Sequence, residues 1–185
     1  MVINMDSIEY RPLRADEINR ALFRDFERRQ EVVQCWRREG DRWVIREDPF
    51  IDQWDEKDYA FLVQCLQNTI RTGGLVLGAF AGGRLKGFAS VEAAPLGSRG
   101  QYLDLTSLHV SADMRRMGMG KILFRRAAKW AADQGAEKLY ISSHSAAETQ
   151  AFYRALGCVD ALEPDPVHVS REPFDCQLEY ELSNL

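Results

Sequence analysis

The run Leu103-Asp-Leu-Thr-Ser-Leu-His-Val110, Ser111-Ala-Asp-Met114, Arg115-Arg-Met-Gly118-Met-Gly120-Lys-Ile-Leu-Phe124 carries the strongest structural signal in this chain of 185 residues. An apolar strand passes through a short loop into glycines that open a helix. The first N–H groups of such a helix lack intrahelical partners and lie at the positive end of its dipole. Glycines at 118 and 120 let an anion approach that backbone without meeting a Cβ. Between Met114 and Ala132 stand six basic residues (Arg115, Arg116, Lys121, Arg125, Arg126, Lys129) and no acid, although the chain as a whole is at −4. This segment is therefore where an anion such as a pyrophosphate is expected. Two familiar phosphate loops are excluded: Arg115 and Ile122 stand where a P-loop needs Gly and Ser/Thr, and Leu123 where a dinucleotide fingerprint needs its third glycine. The plainer alternative is a glycine-rich turn before a helix with a solvated basic face.

Working outward, Leu75–Ala81 and Leu85–Ala93 read as strands flanking the Gly82-Gly83 turn, and residues 101–110 as a third strand of the same meander. A helix is expected from about Gly118 to Gln134, a strand over Lys138–Ser143 and a helix over Ala146–Leu156 closed by Gly157. A short strand at Cys158–Leu162, a loop holding Pro164, Pro166 and Pro173, and a last strand at about Phe174–Leu182 complete this half. Toward the N-terminus, residues 7–12 read as a strand. Asp16 reads as the cap of a helix to about Arg28, with Ile18, Leu22 and Phe26 on one side. Residues 31–38 and 42–47 read as a hairpin about Glu39-Gly40-Asp41, and Asp55 begins a helix stopped by Gly73-Gly74. The order, a meander followed by β-α-β-α-β-β, implies an α/β (α+β) fold: a mixed sheet with helices on both faces.

Length and a hydrophobic content of 45% fit one compact domain spanning 1–185. The net negative charge argues against nucleic-acid binding, and no apolar run approaches the ~20 residues of a membrane span. Cys35, Cys65, Cys158 and Cys176 have neither the spacing of a zinc site nor that of a disulfide framework, so no metal is expected. With no leader-like N-terminus, a cytoplasmic location is the expectation.

Arg115-Arg-Met-Gly118-Met-Gly120 is similar to the (Gln/Arg)-x-x-Gly-x-(Gly/Ala) motif of the GNAT N-acetyltransferases. Val110 ends an apolar strand five residues before the arginine, as in that family. Thr149-Gln-Ala-Phe152-Tyr153-Arg-Ala-Leu-Gly157-Cys158 resembles the family's later helix A-x-x-F-Y-x-x-x-G-F, with Thr for Ala and Cys for Phe. Ala147 departs from an asparagine common in the family. The resemblance is strong over about 75–160 and weak before it. It implies a mostly antiparallel central sheet, with 14–74 forming the substrate side, and acetyl-CoA as co-substrate. Arg115, Arg116, Met117, Gly118, Met119, Gly120 and Lys121 would then hold the pyrophosphate. Leu108, His109 and Val110, through their main chain, and Phe152 would border the acetyl and pantetheine parts. A homodimer is a family-level expectation.

Acetyl transfer needs a deprotonated amine, a polarised carbonyl and an acid for the departing thiolate. The resemblance assigns the acid to Tyr153, although Thr149, Phe152, Tyr153 and Leu156 also have the spacing of a core stripe. Asp104, set in a strand between two leucines, and Glu92 are the candidate bases; ordered water is the alternative. His109 alternates away from Leu108 and Val110 and reads as a sheet histidine. His144, Ser142, Ser143 and Ser145 follow the next strand toward the cleft mouth. An aromatic and acidic segment (Trp36, Trp43, Phe50, Trp54; Asp48, Asp52, Asp55, Glu56) would suit a cationic amine, or else is core and solvated surface. The expected activity is acetylation of a small-molecule primary amine. Acetylation of a protein amine and a silent acyl-CoA-binding module are the alternatives.

Overall fold

A computed structural model describes residues 8–185, so Ser7 of the first expected strand lies outside the described residues. Seven strands form the main sheet in the order β1-β4-β5-β6-β7-β9-β8, and β2 and β3 form a separate hairpin. These are β1 (Glu9–Pro12), β2 (Arg29–Glu39), β3 (Arg42–Gln53), β4 (Leu75–Ala81), β5 (Arg84–Val91), β6 (Tyr102–Val110), β7 (Lys138–Ser143), β8 (Val159–Asp160) and β9 (Cys176–Glu181). Every pairing is antiparallel except β6 with β7. The helices are α1 (Glu56–Arg71), α2 (Met119–Asp133), α3 (Ala147–Leu156) and α4 (Pro166–Arg171). None of the described helices is long and apolar enough to cross a membrane.

The mixed, mostly antiparallel sheet with helices on both faces is as the sequence implies. On one face α2 lays Leu123, Phe124, Ala127 and Ala131 against the sheet, its alanines allowing close approach. On the other, α1 packs Tyr59 and Leu66 around fully buried Phe88. Asp55 caps α1 as expected, accepting from the N–H groups of Lys57 and Asp58, while the Asp58 carboxylate accepts from the Asp55 N–H. Gly73, at φ 91°, ends it in a conformation that favours glycine.

The helix expected over 16–28 is instead two 3-10 turns, Ala15–Glu17 and Arg20–Phe23. Ile18 is extended between them, and Asn19 restarts the chain by accepting from the Leu22 N–H at 3.1 Å. A continuous helix would bury Ile18, Leu22 and Phe26. The broken one buries Ile18, Phe23 and Phe26 and sets Phe23 edge-on to Phe88 at 5.5 Å. The proline-rich loop also contains α4, with Pro166 in its first turn and Asp165 as its cap. The hairpin is longer than expected and turns at Gly40, φ 58°.

One irregularity positions the site. Ser90 pairs with Ser107 and Val91 with Leu105, so Thr106 is an extra residue, a bulge whose hydroxyl bonds Ser90 Oγ at 2.8 Å. The bulge flips the alternation of β6. Leu103 and Leu105 before it, and Leu108 and Val110 after it, therefore all pack toward α2. His109 turns to the opposite face, against Phe88 and Trp54.

Candidate active site

Strand β6 pairs with β7 over three residues only, Tyr102 to Asp104 with Lys138 to Tyr140. Beyond Asp104 the strands separate, leaving main-chain groups of one β6 edge without a ladder partner on that side. The gap opens into a cleft of about 570 Å³ bordered by Leu105–Val110 of β6, Ile141–His144 of β7, the first turn of α2 and one side of α3.

At the cleft's end the chain makes the turn that the glycines foretell. Arg116 (φ 63°) and Gly118 (φ 81°) are both left-handed, an arrangement that gathers successive N–H groups into a concavity. Gly118 occupies the N-cap of α2 with no side chain to cap the helix. The first α2 bond to close on the cap runs from the Ile122 N–H to the Gly118 carbonyl, leaving the amides of Met119, Gly120 and Lys121 without intrahelical partners. A Cβ on Gly120 would stand 3.3 Å from the Phe152 ring. Arg28, Arg115, Arg116 and Lys121 add positive charge to the cleft wall. The burial of Arg115, with Arg28 close by, lowers its pKa. These are the features an anionic, extended ligand such as a nucleotide thioester requires, and the residues fit one.

Leu108, His109, Val110, Arg115, Arg116, Gly118, Met119, Gly120, Lys121, Phe152 and Tyr153 all border this cleft. Met117 does not: it packs against the α2-side core. His109 reaches the cleft with one edge, but dense protein around its ring, then Arg28 and Arg115, push its pKa down to about 3. It is a neutral imidazole, with its ring 4.8 Å from that of Trp54. Tyr153 is 7% exposed, its ring between Phe124 and Phe152, and burial raises its phenol pKa. Its hydroxyl has no hydrogen-bond partner among the described residues, so the ring is core and the oxygen is left available at the cleft.

The two candidate bases, Asp104 and Glu92, do not border the cleft. The Glu92 carboxylate is turned to α1, where it accepts from the Thr69 hydroxyl. Asp104 lies on the face away from α2, 6% exposed, with Oδ2 bonded to His168 Nε2 at 2.6 Å. Its other oxygen, Oδ1, is buried without a partner. The reason is the position of Asp104: as the last paired residue of β6 it points under α4 rather than along the gap.

Sequence reading missed Arg28 and His168. Arg28 borders the cleft with its side chain 8% exposed, ion-paired to Asp52 and lying over Trp54, and its Nε is buried without a partner. No local pattern marks either residue, because each is brought in by an element whose form was misread. The acids of the aromatic segment are largely engaged: Asp48 with Arg37, Asp52 with Arg28, Glu56 with Arg20, and Asp55 as a cap. Trp36 and Trp43 pack against the core, and Phe50 sits 5.4 Å from His144 at the cleft mouth. His144 Nδ1 accepts from the Ala146 N–H at 3.0 Å, which leaves the ring proton on Nε2.

A sheet splayed beside an uncapped, glycine-opened helix is the setting of acyl-CoA chemistry, and the chain belongs to the acetyltransferase (GNAT) family, whose profile matches residues 15–158. Solved structures agree in fold. An acetyltransferase from Bacillus anthracis assigned to streptothricin, solved with acetyl coenzyme A, aligns with a TM-score of 0.68 at 15% identity over 94% of this chain and 96% of its own. Nourseothricin acetyltransferase aligns with a TM-score of 0.62 at 17% identity over 93% and 95% of the two chains. The PaiA N-acetyltransferase of Thermoplasma acidophilum, in complex with coenzyme A, gives 0.59 at 16% over 95% and 99%. Among curated protein sequences none matches the chain significantly.

Proposed function

We propose that this acetyltransferase moves an acetyl group from acetyl-CoA to a primary amine of a small molecule, by direct attack of the amine within a ternary complex. The observation that carries the reading is the set of unpartnered amides at Met119, Gly120 and Lys121, facing a gap between two strands. Acetyl-CoA or CoA in neighbours of the same fold supports it.

In this reading the amides and Arg115, Arg116 and Lys121 hold the pyrophosphate. Main-chain groups of Leu108 and Val110 orient the pantetheine arm and polarise the acetyl carbonyl. The co-substrate supplies an activated acyl carbon with a thiolate as leaving group. Tyr153, kept protonated by its burial, gives that thiolate its proton. Neither candidate base reaches the cleft, since His168 holds Asp104 under α4 and Thr69 of α1 engages Glu92, so the first proton of the acceptor ammonium passes to an ordered water.

The hairpin favours a small acceptor. Its Trp36 N–H donates to the Ser145 carbonyl at 2.7 Å and Arg37 to Ser145 Oγ at 2.8 Å, so β2 and β3 wall the cleft mouth beside Phe50 and His144. A protein substrate would need an open groove there. Neighbours named for streptothricin and nourseothricin point to the same acceptor class.

Calorimetric titration with acetyl-CoA, against ATP and NAD, tests the donor. Selective binding, and its loss in Gly120→Asp, is the expected result. Thiol-reagent detection of CoA release across streptothricin, spermidine, tyramine and lysine tests the acceptor. Unchanged acetyl-CoA affinity in folded Gly120→Asp protein would refute the assignment of the cradle.

A further inference from the structure

One cation on the cleft wall stands apart from the glycine cradle. The wall carries four basic side chains, Arg28, Arg115, Arg116 and Lys121. Among the described residues it carries one carboxylate, Glu148 of α3, which pairs with Arg116 at 3.7 Å. Arg115, Arg116 and Lys121 belong to the turn and the first turn of α2. Arg28 is on the other side of β6: it lies over Trp54, whose ring is 4.8 Å from that of His109, and His109 faces away from α2. The neighbouring backbone fixes it there. The Glu27 N–H donates to Ser111 Oγ, and the Glu27 carbonyl accepts from the Ala112 N–H, each at 2.9 Å, just past the end of β6. Farther along, Cys35 bridges Ala146 and the Trp36 N–H reaches Ser145, beyond the end of β7. The chain from Glu27 to Cys35 therefore crosses the gap between the two strands, and Arg28 and Gln30 both border the cleft beneath it.

The Arg28 side chain is 8% exposed, and a buried guanidinium needs partners for its N–H groups. Asp52, which does not itself border the cleft, holds Nη2. Nε is sealed from solvent, so no ligand reaches it. Nη1 is not among the sealed atoms and bonds no described residue, which makes it the donor open to a ligand. Across the mouth, His144 keeps its ring proton on Nε2. The nearby acids are taken, Asp48 by Arg37 and Asp52 by Arg28 itself. This side of the cleft thus offers donors and a cation, and no carboxylate for a second ammonium.

We propose that the acceptor is an amine that also carries a carboxylate, a free amino acid, and that Arg28 selects it by donating from Nη1 to that carboxylate. This rests on the transferase reading above. Asp52 orients the guanidinium, the substrate carboxylate completes it, and the amine of the same molecule is left to meet the acyl carbon in the gap.

Pairs of amines that differ only in the carboxylate test this: tyrosine against tyramine, and lysine against cadaverine. CoA release should give the amino acid of a pair a kcat/KM about 10- to 100-fold above that of its partner, the range of a hydrogen bond to a charged group. Arg28→Gln combined with Asp52→Asn removes the ion pair without stranding either charge, and acetyl-CoA affinity checks that the protein is folded. In this double variant the KM of the amino acid should rise until the two members of a pair are alike. Arg28→Lys keeps the charge and should retain part of the preference. Equal kcat/KM within both pairs in wild type, or a preference that survives in the double variant, would overturn the selection of a carboxylate. No CoA release from wild type with any amine would instead overturn the transferase reading. Calorimetric titration of the CoA-saturated protein with the same pairs then decides the role of Arg28 alone. Tighter binding of the amino acid, lost in the double variant, would uphold that role, and equal binding would end it.

Discussion

At the scale of single residues, Tyr153 is where core packing and chemistry meet. Its ring satisfies the stripe that α3 turns to the core, beside Phe124 and Phe152, while its hydroxyl bonds no described residue. Burial raises the phenol pKa, so the group stays protonated through the neutral range and has a proton to give. Tyr153→Phe removes that oxygen and nothing else. Because no hydrogen bond is lost, the melting temperature should hold or rise slightly. Acetyl-CoA affinity should also hold, while kcat falls by about 100-fold or more, the range of a general acid. A rate equal to wild type in the binding-competent variant would return Tyr153 to a packing role alone. Tyr153 and the glycine turn were readable from the sequence because their signals are local. The orientation of Asp104 was not, since it depends on where β6 stops pairing with β7 and on what α4 places above it.

At the scale of elements, α4 shows how a local rule hides a helix. Three prolines within ten residues signal a loop, yet Pro166 stands in the first turn of a helix, where its missing N–H costs nothing. The opposite error occurs at 16–28, where an apolar spacing of four suggests one helix but Asn19 breaks it and tertiary contacts with Phe88 choose Phe23 over Leu22. Strands β4 and β7 were legible to the residue, because continuous apolar runs bounded by turn signals leave little choice of ends. The attachment of α4 carries a pH signature. His168 has a raised pKa in the folded chain, so its pairing with Asp104 stabilises the fold fully below the unfolded value near 6.5. That contribution is lost as pH rises through the higher folded value. Chemical denaturation of wild type and His168→Ala should therefore show a stability gap at pH 6 that narrows by pH 9. A gap that widens with pH would contradict the sign of the shift.

At the scale of the whole molecule, the sheet is two parts held by a short seam. Strands β1, β4, β5 and β6 form one antiparallel part and β7, β9 and β8 the other, and between them run three residues of parallel ladder and the helix α2. The hairpin adds a second tie from the first part's side, through the Trp36 to Ser145 bond. A ligand seated in the gap touches β6, α2, β7 and α3 together, so it would bridge both parts where their own backbone does not. Binding to the folded form alone stabilises by about 2.7 kcal/mol at a ligand concentration of 100 Kd. A protein of this size should gain roughly 5–10 °C in melting temperature from that. The gain should come with slowed hydrogen exchange in Ile141–His144 as well as in the first turn of α2, although these segments lie on opposite sides of the gap. Gly120→Asp should abolish the shift while leaving the melting temperature without ligand near wild type, since the added Cβ meets only the edge of the Phe152 ring and a methyl of Val110. Protection confined to α2 would mean that acetyl-CoA is held at its pyrophosphate only and does not span the seam, and the splay would then have no part in orienting the acyl group.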